Sequence, residues 1–420
     1  MTFLKTLADE FSSACTTCGA CAAMCPALSA TGPVETPSAI QEQVREFLEG
    51  GPPTGTVIDR ALLCNECYQC TVDTCPVALD PMRTNLLLRG CLREQGVWAQ
   101  QDEFTPPSDP ASDERVLAAL LTTDEEFKRI TTSLRKGDGR FLFFPGCNIY
   151  SMPDKLLTAM DIMDRLADGW SFLPGLANCC GGNHDTAGYL EAGLTSMSEL
   201  ADSFQSDEFE AIVLWCPTCV TRFHLSELDL PTISFARFVA DRIADQGLSR
   251  ADIGPITLHD PCKNAFLRID PEAPRELLIL ATGEKVREMP RIGTCCGWSL
   301  FKSSPDEGRR WINERIKEAS DTGAEAMVNI CHGCHWLFTG PEQAPDIEVV
   351  NYVTLMGRVM GICHDERYFK WRKWGDPDTI LSDIWTDIEE RIDQFPFTHL
   401  QIEMVIRRVF GPVTRADVSG

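Results

Sequence analysis

Ten of the twenty cysteines fall into two copies of one spacing, Cys-x31-Cys-Cys-x35-Cys-x2-Cys and Cys-x32-Cys-Cys-x34-Cys-x2-Cys. The first copy is Cys147, Cys179, Cys180, Cys216 and Cys219; the second is Cys262, Cys295, Cys296, Cys331 and Cys334. Each second-copy cysteine lies 115 or 116 positions beyond its counterpart, a constancy that a duplicated domain explains and chance does not. The fold must therefore accommodate one cysteine-rich unit twice.

At 420 residues the chain has room for roughly two to four domains with real apolar cores. No run of 18 or more apolar residues exists to span a bilayer. The N-terminus MTFLKTLADEFSS lacks the basic and apolar regions of a secretion signal, so a cytoplasmic chain is expected, with any membrane association through a partner. Disulfides are disfavoured there, and cysteines at Cys-x2-Cys spacing read as metal or cluster ligands. A formal charge of −24 disfavours nucleic acid as a partner, because phosphate binding needs a basic surface.

The segment Ala99 to Glu114 is polar and carries Pro106, Pro107 and Pro110, so it reads as a linker between an N-terminal domain (1–98) and the repeats (115–250 and 251–362). Residues 363–420 form a helical C-terminal segment. Its Trp371, Trp374, Trp385, Phe395 and Phe397 read chiefly as core, with a docking surface as the alternative. Within 1–98, Ile40–Leu48 and Met82–Arg93 have helical patterns, and Arg115–Arg135 reads as one helix leading into the repeats. In the first repeat Phe141–Phe144 and Ala211–Trp215 read as strands and Lys155–Ala167 as a helix. The second is similar, with strands Ile256–Leu258 and Ala326–Ile330 and the helix Arg309–Ala319. Thr379–Ile392 and His399–Phe410 read as helices. The expected class is a helical N-terminal domain, two α/β domains with mostly parallel sheets and ligands at strand C-termini, and a helical tail.

Cys15, Cys18, Cys21 and Cys25-Pro26 spell the bacterial ferredoxin run for a [4Fe-4S] cluster. Cys64, Cys67, Cys70 and Cys75-Pro76 make a second run, with one extra residue before its last cysteine. In two-cluster ferredoxins the Cys-Pro cysteine serves the other cluster. That rule groups Cys15, Cys18, Cys21 and Cys75 at one cubane and Cys64, Cys67, Cys70 and Cys25 at the other. Structural zinc is the competing reading, disfavoured by three close cysteines plus Cys-Pro occurring twice. The 38 residues between Cys25 and Cys64 leave room for helices. This part resembles the α-helical ferredoxin domain found in succinate dehydrogenase iron-sulfur subunits and in the two-cluster component of heterodisulfide reductases.

Five thiolates per repeat exceed the four that a cubane or zinc site needs, and adjacent cysteines are awkward terminal ligands of one cube. Gly181 and Gly297 follow the cysteine pairs, where a backbone without Cβ can turn or pack closely. The segments PGC at 145–147, NCCGG at 178–182, CPTC at 216–219, HDPC at 259–262, TCCGW at 294–298 and CHGC at 331–334 look like the cysteine-rich CCG domains of the heterodisulfide reductase catalytic component. With the two-cluster module in front, residues 10 to about 340 resemble the heterodisulfide reductase family in its fused form, where both components share one chain. The resemblance implies two noncubane [4Fe-4S] clusters, one per five-cysteine set, and a disulfide cleaved between them. It also implies a flavoprotein or membrane cytochrome b as electron donor, since no G-x-G-x-x-G follows a strand.

Disulfide reduction takes two electrons, which two clusters could deliver one each. His259, Asp260, His332 and His335 are candidates to donate hydrogen bonds or protons, with a supporting structural role as the plainer alternative. Lys263, Arg268 and Arg222 could offset anionic clusters or bind an acidic substrate group, or be surface charge. Cys91 and Cys363 read as ordinary thiols. An electron-transfer protein like the iron-sulfur subunits of anaerobic glycerol-3-phosphate, glycolate or lactate dehydrogenases is the alternative function.

Overall fold

The computed structural model describes residues 2–97, 104–205, 208–226, 228–244, 253–340, 346–389 and 395–412. Residues 99–103 of the expected linker and the expected boundary at 250–251 lie outside these ranges.

The N-terminal module is helical. Ile40, Val44, Phe47 and Leu48 recur at helical spacing in Pro37–Leu48, so one face is apolar: Val44, Phe47 and Leu48 bury with Ala8, Val57 and Leu88, and Ile40 with Ala22, Leu28 and Leu63. Its helices begin where the sequence supplies caps. The Thr36 and Thr54 hydroxyls accept from Ala39 N and Val57 N, and Asp80 accepts from Met82 N and Arg83 N.

The first repeat holds β1 (Leu134–Lys136), β2 (Phe141–Phe144), β3 (Trp170–Phe172), β4 (Ala211–Leu214) and β5 (Thr232–Ser234) in the order β1-β3-β2-β4-β5. Only β1 runs antiparallel. The second holds β6 (Ile256–His259), β7 (Ala326–Asn329) and β8 (Glu348–Asn351), all parallel, in the order β6-β7-β8. A single bridge from Arg287 to Thr257 stands where β3 stands in the first repeat. Central strands β2, β4, β6 and β7 are buried along their whole length, which is why they read as apolar runs without alternation.

The repeats share one continuous core. Phe235 lies 5.3 Å from Phe143, 6.0 Å from Trp215 and 6.3 Å from Tyr352 of the second repeat, ring centre to ring centre. The C-terminal segment closes over both: buried Lys155 pairs with Asp154 at 2.9 Å and Glu366 at 3.1 Å, and lies over the Phe369 ring. Trp371, Phe397 and Phe410 are buried, so most of the tail's aromatic content is core, while Trp374 is exposed.

Two expectations need correction. Arg115–Arg135 is not one helix: Asp113–Leu121 ends, Thr123 caps a new helix Asp124–Thr131 in a reciprocal box with Glu126, and β1 follows. Thr122-Thr123 offers the chain a local hydrogen-bonding alternative to continuing the first helix. The helix also opens two residues inside the expected linker. The helix predicted over Thr379–Ile392 spans Pro377–Ile388, and residues 390–394 fall outside the described ranges.

Candidate iron-sulfur sites

In the N-terminal module one cavity is lined by Cys15, Cys18, Cys21 and Cys75, with Gln41, Arg60 and Asn85 among its other walls. Cys75 of the second run thus shares this cavity with the first three cysteines of the first run. Gln41 Nε2 lies 3.6 Å from Cys15 Sγ, and its Oε1 accepts from Cys21 Sγ at 3.2 Å. Cys25 lies instead within electrostatic reach of Cys64, Cys67 and Cys70. Asn85 Nδ2 donates to Cys64 Sγ at 3.3 Å. Burial pushes Cys70 up to about 12, so this pocket favours a thiol until a cation compensates. Arg60 sits among Cys25, Cys21, Cys70 and Cys64. Burial alone would lower its pKa, but the surrounding sulfurs outweigh it and raise it.

Each repeat draws its five cysteines together at the C-terminal edge of its sheet. In the first, Cys147 Sγ is 3.7 Å from Cys179 Sγ, Cys179 contacts Cys180, and Cys180 contacts Cys219, which contacts Cys216. In the second, Cys262 contacts Cys295, Cys295 contacts Cys296, and Cys296 contacts Cys334, which contacts Cys331. The local cause is shared. Cys216 and Cys331 follow β4 and β7 and cap the helices Pro217–Leu225 and His332–Phe338, where the positive end of the helix favours thiolate. The Cys334 contact holds Cys331 at about 7, below the ordinary thiol value.

Glycines close the pocket. Gly181 (φ 79°) and Gly297 (φ 93°) donate backbone N–H to Cys179 Sγ at 3.3 Å and Cys295 Sγ at 3.4 Å. A Cβ at Gly146 would lie 2.8 Å from Cys216 Cβ and 3.3 Å from Cys219 Sγ. Convergent thiols, sulfur-directed N–H donors and a backbone cleared beside the sulfurs fit iron-sulfur clusters as residents.

The modules meet at charged residues. Glu66, between Cys64 and Cys67, accepts from Arg89 at 2.6 Å, Lys263 at 3.1 Å and Thr186 at 2.6 Å. Burial alone would raise Glu66, but Lys263 and Arg89 prevail and hold it at about 2. Cys67 lies within electrostatic reach of Cys295 and Cys262, so the second ferredoxin run abuts the second repeat's set.

The other sequence candidates divide. His259 is buried at the end of β6 against Phe338, and neither ring nitrogen has a partner. Asp260 is engaged by Arg275 through two bonds of 3.1 and 3.0 Å. His332 is buried, and burial lowers it to about 4; His335 is buried against Phe369. Arg222 pairs with Asp185, Arg268 is exposed, and Lys263 is taken up by Glu66. Cys91 is half-buried and Cys363 exposed.

Sequence reasoning missed Glu66, Tyr68 and Arg60. No sequence signal marked them; in the structure Glu66 and Tyr68 have φ near 53° and 66°, matching Thr17 and Gly19 of the first run, so Tyr68 holds a backbone shape that glycine holds in its counterpart.

A cysteine-rich domain, the CCG family, matches residues 141–224 and again 256–339, and a 4Fe-4S dicluster domain matches residues 11–79. Lactate utilization protein A of Bacillus thuringiensis (strain Al Hakam) and of Bacillus cereus (strain AH187) are each 27% identical to the chain over 195 residues. So is lactate utilization protein A 2 of Bacillus anthracis (strain CDC 684 / NRRL 3495). The matches cover 42% of this chain and 79% of each relative. The chain is an iron-sulfur electron-transfer protein that joins a dicluster module to two cysteine-rich domains.

Proposed function

We propose that the chain passes electrons through two cubane [4Fe-4S] clusters to two noncubane clusters, one per repeat, and that a disulfide lying between the latter is reduced to thiols. The step consumes two electrons and two protons, breaks one S–S bond and yields two thiols; it can run in reverse. The observation that carries this reading is a largely apolar hollow between the repeats, lined by Trp215, Pro217, Pro261, Ile330 and Tyr352. These residues are the sequence neighbours of Cys216, Cys262 and Cys331, which follow the strands at the sheet edge where open α/β sheets bind ligands.

When bound, each cluster would supply one electron and a Lewis-acidic iron for a departing sulfur. The chain's own residues hold and insulate. Trp215, Phe235 and Tyr352 give the cavity an aromatic wall, and Gly181 and Gly297 direct N–H groups at the cysteine pairs. Electrons enter at the first ferredoxin run, where Cys18 is exposed, from a flavoprotein or cytochrome b partner. Among the described residues no helix is long and apolar enough to cross a membrane, so a membrane link would run through that partner.

Purified protein with a reduced dye and candidate disulfides, including the coenzyme M–coenzyme B heterodisulfide, is expected to release thiols and to show a thiol-dependent change in its EPR signal. No turnover and no spectral change would sink the disulfide reading. The relatives named for lactate utilization favour a second one, electron transfer out of a lactate-oxidising complex. It predicts a co-purifying flavin dehydrogenase whose reduction by lactate reduces the clusters here.

A further inference from the structure

The two repeats are not equivalent inside. Aligned at 115 positions, β2 of the first matches β6 of the second, and Gly193 matches Gly308 in the long helix after each cysteine pair. The same alignment superposes the buried positions of those helices: Leu190, Gly193, Leu200, Ala201 and Phe204 on Pro305, Gly308, Arg315, Ile316 and Ala319. Beside its cysteines the first repeat buries Phe144, Leu200, Leu214 and Val220 in one apolar cluster. The matching residues of the second are His259, Arg315, Asn329 and His335, each at most 3% exposed. Phe144 and Leu214 are register partners across β2 and β4, as His259 and Asn329 are across β6 and β7.

The first repeat proves that the fold builds this layer from apolar side chains. The second pays for polar ones: both His259 nitrogens, Arg315 Nε, Asn329 Oδ1 and His335 Nδ1 are buried without a partner. Each such atom costs about 1–3 kcal/mol. Stability therefore does not account for the layer. Arg315 lies within electrostatic reach of Cys295 and Cys296, and the carboxylate it contacts, Glu318, is shared with Arg291. Lys263 reaches the same set and faces Glu66, which Arg89 also engages. The first set has Arg222 against Asp185, with Glu114 within reach of Cys147. Two cations, Arg315 and Lys263, thus lie within electrostatic reach of the second set, where the first set has Arg222.

We propose that the two five-cysteine sites are electrically unequal, and that Arg315, with the buried polar layer of His259, Asn329 and His335, makes the second the stronger electron acceptor. Nearby positive charge and hydrogen-bond donors raise a cluster's reduction potential. The second set is also the one that Cys67 abuts, so an electron leaving the neighbouring cubane is taken there first, with one cubane oxidised, one site reduced and no bond changed. Arg315, His259, Asn329 and His335 act here as positioning residues. The proposal rests on the reading that both sets hold clusters.

EPR-monitored potentiometric titration of the full, cluster-bearing chain tests it. Two distinct midpoints are expected from the repeats. Arg315→Leu, which installs the first repeat's residue, should shift the oxidised-to-reduced ratio of the higher-potential site at least tenfold toward oxidised at fixed potential, about 59 mV for one electron. The other sites should not move, and Arg315→Lys should keep the parent value. Should Arg315→Leu lose iron, Arg315→Gln removes the charge with polar bulk retained and is read the same way. Coincident midpoints in the parent protein, or unmoved midpoints in iron-replete variants, overturn the proposal alone. A parent protein with no iron in its repeats overturns the functional reading instead.

Discussion

Glu66 ties three parts of the chain together with one carboxylate, meeting Arg89 in its own module, Thr186 in the first repeat and Lys263 in the second. Removing one partner of a buried ion pair leaves the others uncompensated, so Glu66→Gln should cost about 3 kcal/mol in chemical unfolding. The sign with pH follows from its lowered pKa. The contribution is complete above the unfolded value of about 4.5 and fades as the folded group is protonated toward about 2, so the stability gap between parent and variant should close across that window. A gap that does not change with pH would show that packing, and not charge, is the cause. Nothing in the spacing of residues marks Glu66 for this task, because its partners lie 120 and 197 positions away. The cysteines were legible for the opposite reason: ligand chemistry fixes their local spacing, and a duplication repeats it.

Elements whose ends carry their own signal were legible too. His399–Phe410 has the predicted bounds, with Thr398 and Gln401 forming its capping box. The same device defeated the reading of Arg115–Arg135, where apolar periodicity runs through Thr123 although the backbone does not. Thr123→Ala should therefore destabilise the chain by about 1 kcal/mol in thermal or chemical unfolding, and no loss would make the break a consequence of packing. The two ferredoxin runs make a crossed prediction. Cys75→Ser should remove the cubane of Cys15, Cys18 and Cys21, and Cys25→Ser the one of Cys64, Cys67 and Cys70, each lowering iron by about four per chain with different EPR signals lost. If both variants lose the same signal, the runs do not exchange their fourth ligands.

Over the whole molecule, two mostly parallel sheets each gather five cysteines at one edge, and the helical module sets its second run against one of these sets. The helical module and the paired α/β repeats were legible because duplication and cluster spacing are each encoded locally. The order of contact between modules was not, since it depends on Glu66, Cys67 and Lys263 meeting across long sequence separations. The same holds for the inequality between repeats, which appears only when buried positions are compared, Phe144 with His259 and Leu200 with Arg315. The central claim is a four-cluster path through one chain. Iron and sulfide analysis of anaerobically purified protein, with EPR of the oxidised and reduced forms, tests it most directly. About sixteen irons per chain with two cubane and two distinct noncubane signals is the predicted result. About eight irons with both five-cysteine sets empty, or a colourless protein holding zinc, would contradict it.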